Sequence, residues 1–455
     1  MRNVAVILAG GSGIRMGNDT PKQFLKLAGK MVIEHTIEVF EAAKQIDEIC
    51  IISRIDYIER VQELVVRRNY HKVKRILAGG KERYHSSLSA INAYDEECNL
   101  IFHDAVRPLV NERIINDCIE ALDSYKAVDV AIDTTDTIIR VDANRCIEDI
   151  PLRSALRNGQ TPQCFRRSTI AEAYRLALQD PNFQTTDDCG VVRKYLPNEP
   201  IYVVTGEQFN MKLTHIEDLF LLDKLFQLKN IELSQKKLLQ YTLRALHEKV
   251  LVVFGGSYGI GADIVRLAHE NNCHVYSFSR SKNQVDVTDK TAVQQALQSV
   301  YKKEERIDAI INTAGVLYKE PLAAMAENTI QSSIDVNLLG VIHVAQSAYP
   351  YLKETHGALL FYTSSSYTRG RMMYSIYSAT KAAIVNLVQA LAEEWSECDI
   401  RVNCINPERT KTPMRTRNFG DEPEGTLLSA EEVAIASLNT IFSKFTGEVV
   451  DVRRK

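Results

Sequence analysis

Two glycine-rich segments of this 455-residue chain have the residue types that bind phosphate groups. The segment 10–17 follows a short apolar run, and Arg15 and Lys22 add positive charge beside its four glycines. The segment 255–261 also follows an apolar run and has glycines at its first, second, fifth and seventh positions. Such loops let backbone N–H groups approach an anion. We expect a nucleoside triphosphate at the first segment, which lacks the Gly-Lys-Ser/Thr of a Walker A loop, and a dinucleotide at the second. A turn that needs positive φ is the alternative for the first segment.

A tyrosine and a lysine with the spacing of one helical turn could transfer a proton. Tyr377 and Lys381 have this spacing, and Ser364 precedes them at the end of an apolar run. The ammonium is expected beside the phenol, where a cation lowers a tyrosine pKa of ~10 by ~1 to 3 units. The triple serine 364–366 leaves Ser365 and Ser366 open as alternatives for the hydroxyl.

These residues need parallel strands and crossover helices to position them. Apolar runs alternate with helical stretches in both halves, which predicts two doubly wound α/β domains. A helix is expected at Glu112–Ser124, and a polar helical segment at His215–Gln240. The predicted strands are Val4–Leu8, Glu48–Ser53, Leu100–His103, Val128–Asp133, Ile201–Val204, Val250–Phe254, His274–Phe278, Ile307–Asn312, Leu359–Thr363 and Ile400–Ile405.

Composition excludes several classes of protein. A net charge of -3 predicts no nucleic-acid partner, and no apolar run reaches the length of a membrane span. The nine cysteines are scattered without metal-binding spacing, which indicates reduced thiols in the cytoplasm. The N-terminus enters an apolar strand directly, so no cleavable leader is expected.

Seven segments of the first half resemble the cytidylyltransferases that act on methylerythritol phosphate or ribitol phosphate. They are 8–16, 21–23, 79–86, 103–108, 160–163, 186–188 and 210–214. The resemblance implies a nucleotide-diphosphosugar-transferase-like fold. It also implies attack of a sugar-phosphate oxygen on the α-phosphorus of CTP, with catalysis by alignment and charge neutralisation.

The resemblance assigns roles within this candidate site. Arg15 and Lys22 would stabilise the transition state, Asp104 would lie near the ribose and Mg²⁺, and Arg157 with Lys212 would hold the acceptor. For Asp104 an N-cap role is the alternative, and for the acceptor residues a solvated surface position. The implied CTP-binding residues are Gly10, Gly11, Gly13, Gly79, Gly80, Ser86 and Asp104.

From residue 249 onward the chain resembles the short-chain dehydrogenase/reductases, although Phe254 and Glu408 depart from the usual pattern. The resemblance implies that Tyr377 donates the proton, Ser364 polarises the carbonyl, Asn337 holds a relay water and Lys381 also binds the nicotinamide ribose. The implied cofactor-binding residues are Gly255, Ser257, Gly259, Ile260, Gly261, Ser279, Arg280, Asp286, Asn312, Ala314 and Gly315.

Cofactor and substrate charge follow from two basic features. Ser279 and Arg280 stand where an NAD-specific fold usually has an acidic residue, which predicts NADPH. Arg371 and Arg415 are expected to bind a substrate phosphate, with a solvated basic loop as the alternative. They belong to a group of six cations completed by Arg369, Arg409, Lys411 and Arg417.

Together the two halves resemble bifunctional enzymes of capsule or other surface polysaccharide synthesis. The expected reactions are reduction of D-ribulose 5-phosphate by NADPH and transfer of CMP from CTP to the D-ribitol 5-phosphate, with Mg²⁺. The alternatives are a methylerythritol-phosphate cytidylyltransferase fused to an unrelated reductase, and a nucleotide-binding module without turnover. The predicted transferase domain is 1–232, the linker 233–248 and the reductase domain 249–455. A homodimer or higher homo-oligomer is expected, because 134–156 occupies the place of the transferase family's dimer-forming arm.

Overall fold

The computed structural model describes residues 1–11, 20–229 and 237–454. Its backbone contacts divide the chain into two units, one of residues 1–27 with 31–222 and one of residues 28–30 with 223–455. Part of the predicted linker is helical, since residues Gln240–Leu246 form a helix. The Thr242 hydroxyl of this helix donates to Asn439 Oδ1 at 2.8 Å, which attaches the helix to the second unit. The predicted domain limits themselves stay a prediction.

Up to residue 229 helices follow most strands of the parallel region, whereas the strands between residues 127 and 166 follow one another without an α-helix between them. The strands are β1 (Asn3–Ala9), β2 (Lys26–Leu27), β3 (Lys30–Met31), β4 (Glu48–Ser53), β5 (Val73–Ala78), β6 (Asn99–Asp104), β7 (Ala127–Asp133), β8 (Arg140–Val141), β9 (Ile147–Asp149), β10 (Arg157–Gly159), β11 (Gln163–Arg166) and β12 (Ile201–Thr205). The helices are α1 (Val32–Ala42), α2 (Ile58–Arg68), α3 (Arg83–Ile91), α4 (Glu112–Ala121), α5 (Arg167–Ala177), α6 (Asp188–Tyr195) and α7 (Ile216–Lys229).

The larger sheet of the first unit has the order β10-β7-β11-β6-β1-β4-β5, with β12 also paired to β7. β1 lies parallel to both β4 and β6, whereas β11 runs antiparallel to β6 and β7. The register pairs Leu8 with Asp104. Gly10 and Gly11, which follow β1, and the carboxylate that ends β6 therefore lie at the same edge of the sheet, where open α/β sheets bind ligands.

The second unit has a six-stranded sheet that is parallel throughout, with the order β14-β13-β15-β16-β17-β18. Its strands are β13 (Val250–Phe254), β14 (His274–Phe278), β15 (Ala309–Asn312), β16 (Ala358–Tyr362), β17 (Arg401–Pro407) and β18 (Val449–Val452). Its helices are α8 (Gln240–Leu246), α9 (Gly259–Glu270), α10 (Arg280–Asn283), α11 (Lys290–Glu304), α12 (Glu327–Ile334), α13 (Gly340–Thr355), α14 (Ser375–Glu394), α15 (Pro413–Phe419) and α16 (Ala430–Ile441).

Helices cover both faces of each parallel region, so the central strands are apolar on both sides. In β13, Val252 and Phe254 belong to one buried cluster, and Leu251 and Val253 belong to the cluster on the other face. The predicted α/β class of both halves is thereby confirmed. No helix in the described ranges is long and apolar enough to cross a bilayer.

The predicted limits of the elements agree with the structure to different degrees. β4, β13 and β14 have the predicted bounds, whereas α4 ends three residues before the predicted Ser124. The helical segment predicted over 215–240 has α7 and α8 at its two ends, and residues 230–236 between them lie outside the described residues. β5 was not predicted, because Lys74 and Arg75 interrupt its apolar pattern.

Candidate active sites

In the first unit, the described glycines of the predicted CTP site pack closely against one hydroxyl. A Cβ at Gly10 or Gly79 would lie 3.1 or 2.6 Å from the buried Ser86 Oγ. A side chain at Gly80 would meet His85 at 2.5 Å. The structure thus brings Gly10, Gly79 and Ser86 together as predicted neighbours, with Gly11 next along the chain. The predicted residues Gly13 and Arg15 lie outside the described residues.

Asp104 is the buried carboxylate at the centre of this site. Its Oδ2 is 2.9 Å from Lys212 Nζ and 3.5 Å from Arg107 Nε. Burial would raise the pKa of Asp104, but Lys212, Arg83 and Arg107 together hold that pKa well below its ordinary value. The alternative N-cap role is wrong, because the next helix begins at Glu112 and is capped by Asn111.

A second ion pair supports the same wall of the site. Arg83 Nη1 lies 2.5 Å from Asp188 Oδ2, and Asp188 Oδ1 accepts from the Tyr174 hydroxyl at 2.6 Å. Arg83 also contributes to the low pKa of Asp104. Arg83 and Asp188 both lie in segments recognised in the sequence, 79–86 and 186–188, but their pairing across 105 residues was not predicted.

The loop before β11 fixes the backbone of Asp104. The Asp104 N–H donates to Thr161 Oγ1 at 3.2 Å, and this hydroxyl is 2.9 Å from Nδ1 of the buried His103. Burial lowers the pKa of His103 to about 4, so the imidazole is neutral at pH 7. A neutral ring beside Asp104 does not compete with the cations for its charge.

The predicted transferase cations are distributed unequally. Lys22 Nζ donates to the Leu213 carbonyl at 3.0 Å, next to Lys212 in the chain. Arg157, by contrast, is half exposed at the sheet edge and pairs with Asp133 at 2.9 Å. The described contacts therefore join Lys22, Lys212 and Asp104 in one region, and place Arg157 with local partners. Its acceptor-binding role stays a prediction.

A cavity of about 810 Å³ in the second unit contains most of the predicted reductase residues. Of the predicted cofactor-binding residues, all except Asn312 line it. They share the cavity with Ser364, Tyr377, Lys381, Arg371 and Arg415. A volume of this order suits a small-molecule ligand of substantial size.

The glycine loop of this cavity could not accommodate side chains. Gly255 has φ of +83°, and its Cβ would lie 2.6 Å from Thr313 Oγ1. A Cβ at Gly261 would meet the Gly255 carbonyl oxygen at 2.5 Å. The loop is followed directly by α9, whose N-terminal N–H groups lack intrahelical partners and so favour an anion.

Further cofactor determinants lie at the ends of β14 and β15. Ser279 caps α10, and the exposed Arg280 Nη1 lies 3.7 Å from Asp286 Oδ2. Asn312 Oδ1 accepts from the Ala314 N–H at 3.0 Å, while its buried Nδ2 has no partner within the described part of the chain. A buried amide without an acceptor fits a site completed by a bound ligand. These residues fit a dinucleotide.

The proposed proton donor shares the cavity with the predicted serine. Ser364 lowers the pKa of Tyr377, whereas Ser366 donates to Ser364 Oγ at 3.3 Å. The choice of Ser364 within the triple serine stays a prediction. The expected lowering of the Tyr377 pKa is wrong in this structure. Desolvation raises the Tyr377 pKa to about 12, although Ser364 acts to lower it.

Lys381 does not offset that desolvation. Its Nζ donates to the Tyr362 carbonyl at 2.9 Å and lies 5.5 Å from the Tyr377 ring centre. Burial lowers the pKa of Lys381 to about 8. Lys381 therefore lies near Tyr377, but its ammonium group donates a hydrogen bond to the backbone and not to the phenol.

Asn337 supports the cavity wall from behind. It lies in a π-helical turn, Asp335–Leu339, a distortion common at functional sites. Its Nδ2 donates to the Val316 carbonyl and its Oδ1 accepts from the Val316 N–H, both at 2.9 Å. The side chain is therefore engaged by backbone, and the predicted relay water stays a prediction.

Of the six basic residues expected around the substrate, only three line the cavity as described. These are Arg371, Arg409 and Arg415, whereas Arg369, Lys411 and Arg417 are not among its lining residues. Arg415 is already paired with Glu422, at 2.6 and 2.8 Å. Sequence reasoning missed Glu422, because no local pattern indicates which cation a loop carboxylate will meet.

Comparisons with known proteins match both halves. Residues 3–227 match the family of 2-C-methyl-D-erythritol 4-phosphate cytidylyltransferases, and residues 249–423 match the short chain dehydrogenases. The first half is 42% identical to a 2-C-methyl-D-erythritol 4-phosphate cytidylyltransferase of Thermobifida fusca, over 50% of this chain and 94% of that protein. It is 36% identical to a ribitol-5-phosphate cytidylyltransferase of Lactiplantibacillus plantarum, over 47% of this chain and 94% of that protein.

A further relative covers both units at once. The bifunctional ribulose 5-phosphate reductase/CDP-ribitol pyrophosphorylase Bcs1 of Haemophilus influenzae is 49% identical over 99% of this chain and 96% of its own length. Because the match extends over 99% of this chain, the relative has the same two domains in the same order. The chain belongs to the family of bifunctional ribulose 5-phosphate reductase/CDP-ribitol pyrophosphorylases.

Proposed function

We propose that this enzyme reduces D-ribulose 5-phosphate with NADPH to D-ribitol 5-phosphate, and transfers CMP from CTP to that product. CDP-ribitol and pyrophosphate result, and the CDP-ribitol supplies a capsule or another surface polysaccharide. The full-length relationship to a protein named for these two activities carries the proposal. The two sites support it chemically, because one is suited to phosphoryl transfer and the other to carbonyl reduction.

In the reductase site, the residues of the glycine loop and of the ends of β14 and β15 would hold NADPH, which would supply the hydride for reduction of the ketone. Tyr377 donates a proton to the carbonyl oxygen, and Ser364, which lines the same cavity, polarises that oxygen. A pKa of about 12 keeps the phenol protonated before the reaction, so the proton is available to give. The buried Lys381 side chain would bind the nicotinamide ribose.

In the transferase site, the protein contributes charge and alignment. Lys22 and Lys212 are the cations proposed to neutralise the reacting phosphates, since Lys212 Nζ pairs with Asp104 and Lys22 Nζ donates to the neighbouring Leu213 carbonyl. Asp104, ionised throughout the physiological range, fits a Mg²⁺ bound by one carboxylate and substrate phosphates. Arg15 and Gly13 complete the proposed set.

NADPH preference is proposed from Arg280. The guanidinium is exposed at the cavity edge and only weakly engaged by Asp286 at 3.7 Å, so it can pair with a 2′-phosphate. We expect Arg280→Ala to raise KM for NADPH about tenfold or more and to leave KM for NADH unchanged. Lys282→Ala, on the same short helix, is the matched control. Comparable kcat/KM values for NADH and NADPH in the unaltered enzyme would contradict the preference.

A second copy of the chain is the proposed partner. The segment 134–156 contains the antiparallel pair β8 and β9 and an unusual number of exposed apolar side chains. These are Ile138, Ile139, Val141, Ile147, Ile150 and Leu152, each at least 43% exposed. An apolar surface of this extent is typical of an association site.

All nine cysteines are free thiols, which supports a cytoplasmic location.

The proposal is tested by supplying ribulose 5-phosphate, NADPH, CTP and Mg²⁺ to the purified enzyme and detecting CDP-pentitol by mass spectrometry. Product that requires all four components is the expected result. If CDP-pentitol forms only when ribitol 5-phosphate is supplied, ribulose 5-phosphate is not the substrate of the reductase, and the transferase assignment stands. Preference for methylerythritol phosphate as acceptor would instead favour the activity named for the Thermobifida fusca relative.

A further inference from the structure

The reductase cavity contains a carboxylate that competes for one of its phosphate-binding candidates. Glu422 accepts two hydrogen bonds from Arg415, from Nε at 2.6 Å and from Nη2 at 2.8 Å. Both side chains are about one-fifth exposed, and both line the cavity with Tyr377. This parallel two-bond geometry is the one in which a guanidinium also binds phosphate. Glu422 thus occupies the bonding edge that a substrate phosphate would need.

Aromatic contacts hold Arg415 in position independently of Glu422. The guanidinium carbon lies 4.0 Å from the Phe419 ring centre, and Lys319 Nζ lies 4.7 Å from the same centre. Phe419 in turn meets Tyr374 edge-on at 6.4 Å, and Tyr374 meets Tyr377 edge-on at 6.2 Å. A continuous set of ring contacts therefore relates Arg415 to the proton donor, and removal of Glu422 would leave the guanidinium stacked in place.

The charge around Glu422 favours exchange of one anion for another. Arg409 Nη1 lies 4.0 Å from Glu422 Oε1, so two cations face one carboxylate. A doubly charged phosphate interacts more strongly with this pair than a singly charged carboxylate does. Glu422 follows Gly420, which ends α15 with φ of +72° and has open space around its Cβ position. A short segment after such a turn can move without breaking helical hydrogen bonds.

We propose that Glu422 is a specificity-determining residue of the reductase, whose carboxylate occupies Arg415 until a doubly charged phosphate group replaces it. Singly charged sugar acids and carboxylates cannot displace it, because the tethered carboxylate has the advantage of a high effective concentration. This selection against carboxylates rests on the proposed function, since it takes a sugar phosphate as the substrate.

Anion binding tests this role directly. Inorganic phosphate and acetate are titrated calorimetrically into enzyme saturated with NADP⁺, for the unaltered chain, Glu422→Gln, Arg415→Ala and the double variant. Removal of the competitor should tighten phosphate binding about fivefold and make acetate binding detectable. The double variant should lose both gains. Glu424→Gln, a matched change at an exposed position of the same loop, should leave both titrations unchanged.

The result can also overturn the proposal. Weaker phosphate binding in Glu422→Gln would mean that Glu422 positions Arg415 instead of competing for it, and unchanged binding would mean that it does neither. KM for ribulose 5-phosphate is then measured in the same variants, and a decrease in Glu422→Gln is expected. If ribulose 5-phosphate is not reduced at all, the proposed function fails, while the titrations still report separately on Glu422 and Arg415.

Discussion

Asp104 shows how one residue can organise a site whose ligands are anions. Its carboxylate neutralises part of the charge of Lys212, Arg107 and Arg83, which would otherwise repel one another. The same carboxylate has lone pairs left for a cation. The residue is therefore both a structural counter-ion and the proposed Mg²⁺ ligand.

Asp104→Asn removes both contributions together. We expect kcat/KM for CDP-ribitol formation to fall about 100-fold, because the amide provides no charge for Mg²⁺ or for the surrounding cations. Pyrophosphate release from CTP and ribitol 5-phosphate measures the loss. NADPH oxidation with ribulose 5-phosphate serves as the control, and should be unchanged because Asp104 lies in the first unit. An equal loss of both activities would point to misfolding instead.

Lys381 combines a functional position with a cost in stability. Burial displaces its pKa from 10.5 to about 8, so folding must bury a charged group at pH 7. At about 1.4 kcal/mol per pKa unit, this costs about 3 kcal/mol of unfolding free energy. The cost is fully present below pH 8 and disappears as pH rises towards 10.5, since the unfolded chain then also loses the proton.

Lys381→Met should therefore abolish carbonyl reduction and stabilise the protein at pH 7. Loss of the 2.9 Å bond to Tyr362 offsets about 1 kcal/mol, which leaves a gain of about 2 kcal/mol. Denaturant unfolding monitored by the second unit measures this gain at pH 7 and again near pH 10. A gain that stays constant between the two pH values would exclude the titration of Lys381 as its cause.

At the scale of elements, the apolar runs determined most of what could be predicted. β13 was predicted with its observed bounds because it is buried on both faces and apolar at every position. β14 was also predicted with its bounds, although His274 is exposed and its other residues are half-buried. The π-helical turn around Asn337 was not predicted, since it depends on packing against Val316. The pairing of Glu422 with Arg415 was missed for a similar reason, because it depends on the path of a loop.

The segment 134–156 gives the element-scale prediction. Leu152 is 76% exposed within it, and Ile55 is 74% exposed elsewhere in the same unit. Leu152→Glu should lower the association state measured by light scattering, because a charge is costly in an apolar interface. Ile55→Glu, an equal change at equal exposure, should leave the association state as it was. Equal effects of the two variants would argue against the segment as the interface.

At the scale of the whole molecule, each catalytic set is assembled from residues of one unit. The described transferase residues lie between Gly10 and Lys212, and the reductase residues lie between Gly255 and Arg415. The reductase comes second in the chain although its reaction comes first, so domain order carries no information about reaction order. What remains to be learned is whether ribitol 5-phosphate passes through solvent between the two reactions.

A mixture of two variants, each inactive at one of the two sites, tests whether the intermediate passes through solvent. Tyr377→Phe removes the proton donor and should still form CDP-ribitol from supplied ribitol 5-phosphate, whereas Lys22→Ala should oxidise NADPH and accumulate ribitol 5-phosphate. Because neither site borrows described residues from the other unit, we expect the mixture to convert ribulose 5-phosphate into CDP-ribitol, after a lag that shortens as Tyr377→Phe is added in excess. Mass spectrometry follows the product and the released intermediate. If each variant is active at its intact site but the mixture forms no CDP-ribitol, the intermediate must be made and used within one molecule.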